Sequence, residues 1–427
     1  MQPLSLRANF SWTLAGNLVA YAANWAILSA LAKMGTKTAV GQYTDALTVA
    51  QPVMVFAQMG LRVVQATDQR EGYRFGSYVA VRISCLALAL VVSLAVAVWG
   101  PFSHEAAPAL MVLAVALVLD GFSDVMYGLM QQKECMDRIA VSMIIRNLLA
   151  LAGVIGVYAL THSVAWAMAG FGVGYLIVLC TYDTLSASRL VGPAEGGGWL
   201  AAWRPVWDRA AMRDIVATGF PLALMSLSIL LNTRGPQFIV GRLLGEGALG
   251  LFAGVASLYN VGYFVINALG VAAVPRLSQH YTRGEERQFL RIAGALVVAA
   301  GGAGLVIFLA GYLWGPHLLT ALFTAEYRQG SHALNWMLAG GALFYVSTAV
   351  GTVVSSTRSF APQTVLSGVV AGVAVLGAYL LVPRYGIQGA AYASFLTMAV
   401  RLLGISAVFV LLWRGRDGAT RAVEGQA

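Results

Sequence analysis

The sequence predicts an all-α protein that crosses a membrane about twelve times, and composition and hydropathy both support this prediction. Hydrophobic residues make up 59% of the 427 residues, whereas charged residues make up only 11%. An ordinary soluble domain carries roughly a quarter charged residues, so this chain has too few charges for a normal water-facing surface. The stretches 292–316, 333–357 and 361–383 contain no charged residue. Each exceeds the roughly 20 residues that a helix needs to cross hydrocarbon, which excludes a soluble fold.

Hydropathy and polar interruptions define the spans in chain order. In the first half the predicted spans are 10–33, 39–64, 77–99, 108–131, 139–160 and 163–184. In the second half they are 216–241, 247–274, 289–313, 332–356, 362–382 and 387–413. Most of the Lys and Arg residues fall in the segments that are cytoplasmic if the N-terminus is cytoplasmic. The positive-inside rule therefore predicts that both termini lie in the cytoplasm.

The middle of the chain predicts a division into two lobes. The longest polar stretch, 185–213, is basic, contains a run of three glycines and is predicted to be a cytoplasmic linker. It would join an N-terminal six-helix lobe, 1–184, to a C-terminal six-helix lobe with a short cytoplasmic tail, 214–427. The segments 33–43 and 242–252 align at a constant offset, each with a basic residue, a turn and an Ala-apolar-Gly-x-aromatic motif. Unless this match is due to chance, the lobes are parallel repeats, an architecture found in transporters.

Ionisable side chains inside the spans are candidates for function, because each costs about 2.5–3.5 kcal/mol on insertion scales. Asp120 and Asp124 lie four residues apart on one face of the fourth span, and Arg146 lies in the fifth. Counted from the turn near Lys133, Asp124 and Arg146 both lie about 12 Å deep, so they are predicted to pair. The pair either fastens the lobe or belongs to a functional site. Asp120, without an obvious partner, is the better candidate to bind a proton or sodium ion.

Further polar residues have two interpretations each. Arg82, near the end of the third span, is expected to snorkel to the interface. Arg234 lies in Asn232–Gln237, where a predicted helix break favours a wet cavity, although an interfacial anchor is the alternative. Arg401, near the centre of the twelfth span, is the strongest candidate for a side chain that faces a cavity. Asp45 belongs to a polar face of the first two spans, which either lines a path or forms hydrogen bonds between helices. The sequence contains no metal-ligand or catalytic motif.

Residues 121–140, Gly-Phe-Ser-Asp-Val-Met-Tyr-Gly-Leu-Met-Gln-Gln-Lys-Glu-Cys-Met-Asp-Arg-Ile-Ala, resemble a helical hairpin of a known family. The family is that of bacterial polysaccharide-biosynthesis flippases of the O-antigen type, within the MATE-like multidrug/oligosaccharidyl-lipid/polysaccharide exporter superfamily. Similar motifs follow at 219–222, 241–245, 249–253, 274–278, 315–319, 326–327 and 385–391. The resemblance covers nearly the whole chain, with Thr324 standing where the family pattern has a glycine.

The resemblance implies two six-helix lobes around a central cavity in the bacterial cytoplasmic (inner) membrane. It implies alternating access for an oligosaccharide carried on undecaprenyl diphosphate and destined for a surface polysaccharide such as the O-antigen of lipopolysaccharide. Arg146, Arg234 and Arg401 would bind the diphosphate by charge-assisted hydrogen bonds. Asp120, Asp124 and Asp45 are the candidates for proton or sodium coupling. Membrane lipids and polysaccharide polymerase machinery are the expected partners, with no cofactor, no metal and no nucleic acid.

Two other functions remain open on sequence grounds. A cation-coupled multidrug efflux antiporter of the same superfamily should have an acidic and aromatic cavity, and the intramembrane arginines argue against that. The second alternative is an enzyme, a membrane-bound polysaccharide polymerase or ligase. Such an enzyme usually needs a sizeable external loop for its acceptor, whereas the longest external segments predicted here, about 100–107 and 314–331, are short. The sequence therefore predicts a transporter and not an enzyme.

Overall fold

The computed structural model describes residues 6–68, 72–100, 102–103, 106–191, 203–259, 263–357 and 361–424, and these ranges contain helices and turns but no β-strand. The helices of the first half are α1 Leu6–Met34, α2 Lys37–Ala57, α3 Leu61–Thr67, α4 Phe75–Trp99, α5 Ala106–Gln132, α6 Met136–Thr161, α7 Val164–Val178 and α8 Thr184–Ser188. A π-helical turn, Leu179–Asp183, joins α7 to α8. The others are α9 Arg209–Leu244, α10 Glu246–Tyr259, α11 Tyr263–Thr282, α12 Glu286–Leu322, α13 Ser331–Ser356, α14 Ala361–Tyr385 and α15 Ile387–Glu424.

The predicted all-α membrane fold is confirmed. Within the described ranges, eleven helical segments are long and apolar enough to cross a membrane. The predicted eighth span, 247–274, is shared between α10 and α11, with residues 260–262 between them outside the description. The spans predicted from hydropathy are shorter than α9 and α12, because helices continue beyond the hydrocarbon core into the interface. The segment 314–331, predicted to be an external loop, is therefore mostly the end of α12 and a 3₁₀ turn at Ala325–Gly330.

The chain forms two compact units, Met1–Leu227 and Ser228–Ala427. In the N-terminal unit, α5 is central and packs against α2, α3, α4 and α7, while α6 packs against α1 and α7. The first part of α9 belongs to this unit, because Ile215 and Ala223 are buried in its core. Of the predicted linker, residues 192–202 lie outside the described ranges, and the division at 185–213 stays a prediction.

A glycine sets the break between α2 and α3. Gly60 has φ +58°, a left-handed conformation that L side chains rarely adopt, and Met59 before it has φ +53°. A Cβ atom at Gly60 would lie 2.6 Å from the Cβ atom of Leu222. Glycine satisfies both requirements at once, so the second span bends where α9 packs against it.

In the C-terminal unit, α13 is central and packs against α10, α11, α12 and α15, and α14 packs against α15. Tyr345 and Ala349 of α13 form a buried cluster with Ile266 of α11 and with Leu296 and Ala300 of α12. The hydroxyl group of Tyr345 donates a hydrogen bond of 2.8 Å to the main-chain oxygen of Tyr259. This bond joins α13 to the C-terminal part of α10.

The two segments that align in the sequence have similar local structure. In the first unit α1 ends at Met34 and α2 begins at Lys37, and in the second unit α9 ends at Leu244 and α10 begins at Glu246. The turn before α10 contains Gly245 with φ +83°. The alignment therefore matches a helix–turn–helix junction in each unit, and the repeat of whole lobes stays a prediction.

Candidate functional site

Polar side chains follow one face of α5 inside the N-terminal unit. Asp120, Ser123, Asp124 and Tyr127 occupy positions i, i+3, i+4 and i+7, which point the same way on an α-helix. Each contacts a polar group on a neighbouring helix. We call the whole set the N-terminal polar network, which comprises Arg82, Asp120, Ser123, Asp124, Tyr127, Ser142, Arg146 and Asp183.

The ion pairs of this network differ from the predicted one. Asp124 pairs with Arg82 of α4, with an Nη2–Oδ2 distance of 2.7 Å, and not with Arg146. Arg146 instead pairs with Asp120, with an Nη1–Oδ1 distance of 2.6 Å, so the expectation that Asp120 lacks a partner is wrong. The prediction compared depths along the helices but not the direction in which each side chain points. Arg82 does not snorkel either, because its side chain is fully buried against α5.

Arg146 is held by aromatic rings as well as by Asp120. Its guanidinium carbon lies 4.4 Å from the ring centroid of Tyr175 on α7 and 5.5 Å from that of Tyr127 on α5. A guanidinium over an aromatic face gains cation–π stabilisation, which is strongest where water is excluded. The ion pair and the two rings together keep Arg146 inside the unit.

Asp183 is a third carboxylate of the network, and sequence reasoning missed it. It is fully buried at the end of the π-helical turn, and Ser123 donates a hydrogen bond of 2.7 Å to its Oδ2 atom. Ser142 of α6 also interacts with this carboxylate, and its hydroxyl lies 2.6 Å from that of Tyr127. The signal was available, since Asp183 falls inside the predicted span 163–184. Among the described residues, the Oδ1 atom of Asp183 has no hydrogen-bond partner.

Arg401 of α15 belongs to an aromatic cluster in the C-terminal unit. Its guanidinium carbon lies 4.8 Å from the ring centroid of Phe344. Phe344 stacks on Tyr259 and Tyr263, with centroid distances of 5.5 and 5.4 Å, which brings both tyrosines near Arg401. Within the described ranges no carboxylate pairs with Arg401, and the buried hydroxyl group of Tyr259 has no partner. The cluster thus holds a half-buried cation beside a buried, unsatisfied hydroxyl group.

Arg234 lies inside a continuous helix, so the predicted helix break at Asn232–Gln237 is wrong. Residues 209–244 are helical throughout α9. Pro236 removes one main-chain donor, but a membrane helix tolerates this where neighbouring groups compensate. The Nη1 atom of Arg234 donates a hydrogen bond of 2.7 Å to Oε1 of the buried Gln237. Arg234 is half-buried, and its role as a substrate ligand stays a prediction.

Asp45 lies in α2 and is buried within the N-terminal unit. Its proposed part in ion coupling stays a prediction. Groups of three or more His, Cys, Asp or Glu residues that could hold a metal ion do not occur in the part of the chain that the structure describes.

Comparison with solved structures shows which proteins share this fold. The fold matches a multidrug resistance MATE family transporter of the MOP superfamily with a TM-score of 0.68 and 15% identity, covering 94% of this chain and 95% of that one. It matches the lipid II flippase MurJ with a TM-score of 0.74 and 11% identity, covering 91% of this chain and 85% of that one. Identities this low show the fold alone, which this chain shares with both proteins.

Sequence comparison then gives the family. The model of the polysaccharide biosynthesis protein family matches residues 6–280, so the chain belongs to this family. The MatE family model matches residues 221–380. The capsular polysaccharide biosynthesis protein CapF of Staphylococcus aureus is 23% identical over 402 residues, covering 92% of this chain and 97% of that protein. The resemblance to polysaccharide-biosynthesis proteins inferred from motifs is therefore confirmed.

Proposed function

We propose that the protein translocates an oligosaccharide linked to undecaprenyl diphosphate across the bacterial cytoplasmic membrane, for the synthesis of a surface polysaccharide. The observation that carries this proposal is Arg401, a half-buried cation for which the described residues supply no carboxylate. A cation inside the membrane is costly without an anionic partner, and a diphosphate would provide one transiently. Membership of the polysaccharide biosynthesis family supports an anionic, sugar-bearing substrate over an organic cation.

The aromatic cluster suits the remainder of such a substrate. Phe344, Tyr259 and Tyr263 present apolar ring faces beside the Arg401 guanidinium. Aromatic faces combined with a hydroxyl group can contact both the apolar faces and the polar edges of a sugar ring. Arg234 is proposed as a second cationic ligand of the diphosphate. Arg146 can serve as a third only if it leaves Asp120, with which it already pairs.

The same proposal includes the orientation of the protein in the membrane and the polysaccharide whose synthesis it serves. Both termini are proposed to lie in the cytoplasm, because the positive-inside rule favours that orientation, and the two lobes are proposed to work by alternating access. The similarity to CapF supports a capsular polysaccharide as one product, with the O-antigen as the other candidate. A polysaccharide polymerase would consume the translocated unit on the outer face.

Deletion of the gene tests the function. Lipid-linked repeat units should accumulate on the cytoplasmic face while the surface polysaccharide disappears. Unchanged lipid-linked pools together with increased drug sensitivity would instead favour the multidrug efflux antiporter. Accumulation of translocated but unpolymerised units on the outer face would favour a polymerase or ligase.

Variants in the deleted strain test the site. Arg401→Ala should reduce export at least about tenfold, the equivalent of one charge-assisted hydrogen bond of about 1.5 kcal/mol or more. Arg287→Ala is the matched control, because Arg287 is an exposed arginine of the same unit. Membrane abundance should be equal in both strains. Normal surface polysaccharide in the Arg401→Ala strain would remove this residue from the site.

A further inference from the structure

The charges of the N-terminal polar network do not balance. Asp120, Asp124 and Asp183 are carboxylates, whereas Arg82 and Arg146 are the guanidinium groups that face them. Arg82 is matched with Asp124 and Arg146 with Asp120, so Asp183 is the carboxylate left over. An uncompensated charge that is buried in a membrane protein costs several kcal/mol. The network is neutral if Asp183 carries a proton.

Other charged groups nearby do not replace that proton. The guanidinium carbon of Arg62 lies 5.5 Å from the centroid of the Tyr127 ring, and its Nε atom donates to Oε1 of Gln131. Arg138 of α6 donates to the main-chain oxygen of Ser186, beyond Asp183 in the direction of the helix end. The charged groups that interact with Asp183 itself are Arg146 and Asp120, which are already paired with each other.

The π-helical turn aims Asp183 into the network. In a regular α-helix, residues eight apart such as Tyr175 and Asp183 differ in direction by about 80°. A π-helical turn takes up one extra residue, which reduces this difference to about 20° and brings both side chains to one face. Trp203 supports the turn, because its Nε1 atom donates a hydrogen bond of 2.9 Å to the hydroxyl group of Thr184. The Thr184 hydroxyl in turn donates a hydrogen bond to the main-chain oxygen of Leu179. Such turns are frequent at functional sites.

We propose that Asp183 is the proton-binding group of the N-terminal unit and that its protonation controls the ion pair between Arg146 and Asp120. The role of this proton in transport rests on the proposed function, whereas the protonation of Asp183 does not. A proton on the unpartnered Oδ1 atom makes the network neutral. Its loss leaves a carboxylate that competes with Asp120 for Arg146, through the chain formed by Ser142 and Tyr127. Asp183 thereby takes the place of Asp120 as the first candidate for ion coupling.

A proton suits this position better than a sodium ion. The groups placed at the Asp183 carboxylate are the hydroxyls of Ser123 and Ser142, and its Oδ1 atom lacks any partner in the described part of the chain. A metal cation requires several oxygen ligands arranged around it, whereas a proton requires one acceptor atom.

Infrared difference spectroscopy of the full-length protein in lipid nanodiscs tests the proposal without any substrate. The wild type should show a protonated-carboxyl band that disappears when the pH is raised. Asp183→Asn should lack this band, and Asp208→Asn, which changes an exposed carboxylate outside the network, should retain it. Ser123→Ala keeps the carboxyl group but removes its hydrogen-bond donor, so it should shift the frequency of the band. A band that survives in Asp183→Asn, or that titrates with sodium and not with pH, would overturn the proposal.

Transport in proteoliposomes supplies the second readout. A gradient of one pH unit changes the driving force by about 1.4 kcal/mol per proton, so wild-type rates should change up to about tenfold. Asp183→Asn should lose this dependence while retaining movement of substrate in the absence of a gradient. Wild-type transport that is indifferent to the gradient would overturn the coupling. If the wild type moves no lipid-linked oligosaccharide at all, the proposed function fails, whereas the infrared result still decides the protonation of Asp183.

Discussion

Removal of Asp124 should destabilise the protein more than removal of its partner Arg82. Arg82 is fully buried, and its Nε and Nη1 atoms have no partner in the described ranges, so Asp124 satisfies the remaining nitrogen alone. The side chain of Asp124 is 19% exposed, whereas that of Arg82 is fully buried. Asp124→Leu should therefore lower the free energy of unfolding by about 3 kcal/mol, the lower end of the range for breaking a buried ion pair. Arg82→Met should cost about 1–2 kcal/mol, similar to the strongest polar interactions measured within membranes.

The double variant makes this comparison quantitative. Arg82→Met combined with Asp124→Leu removes both charges, so it should be more stable than Asp124→Leu alone, with a coupling free energy of about 2 kcal/mol. Reversible unfolding in mixed micelles with sodium dodecyl sulfate measures all four proteins. The matched control is the cycle between Asp124 and Arg146, which form no ion pair here. A larger coupling for Asp124 with Arg146 than with Arg82, or additive effects of the Arg82 and Asp124 variants, would refute the arrangement described.

Three glycine substitutions should distinguish positions where a Cβ atom clashes or strains the backbone from a position where it does not. Gly170→Val should destabilise the N-terminal unit by about 1–3 kcal/mol, because a Cβ atom at Gly170 would lie 2.5 Å from the main-chain oxygen of Gly153 and force α6 from α7. Gly156→Ala in α6, whose Cβ atom would meet nothing within 4 Å, should be neutral or stabilising by up to about 1 kcal/mol. Gly60→Ala should cost about 1–2 kcal/mol through its left-handed φ and its approach to Leu222, and thermal unfolding in detergent would detect each change. Equal melting temperatures for Gly170→Val and Gly156→Ala would contradict the close helix contact.

The order and the approximate number of the membrane helices could be predicted from the sequence, because hydropathy is a local property. A segment such as 333–357 needs no knowledge of its neighbours to be assigned to hydrocarbon, and the structure has α13 at Ser331–Ser356. The family could also be inferred from the sequence alone, since its motifs follow one another along the chain. The charge distribution predicts the orientation in the same way, although the structure does not test that prediction.

The partners of the buried charges could not be predicted, because they depend on the rotation of each helix about its axis and on the choice of neighbours. The rise per residue placed Asp124 and Arg146 at equal depth, but α5 turns Asp124 towards Arg82 on α4 and Asp120 towards Arg146. Asp183 enters the network through a π-helical turn that hydropathy does not register. The sequence by itself determined which residues lie in the membrane and what class of protein they form. Only tertiary packing decided which charges are neutralised and which carboxylate remains, because close contact between helices selects the partners.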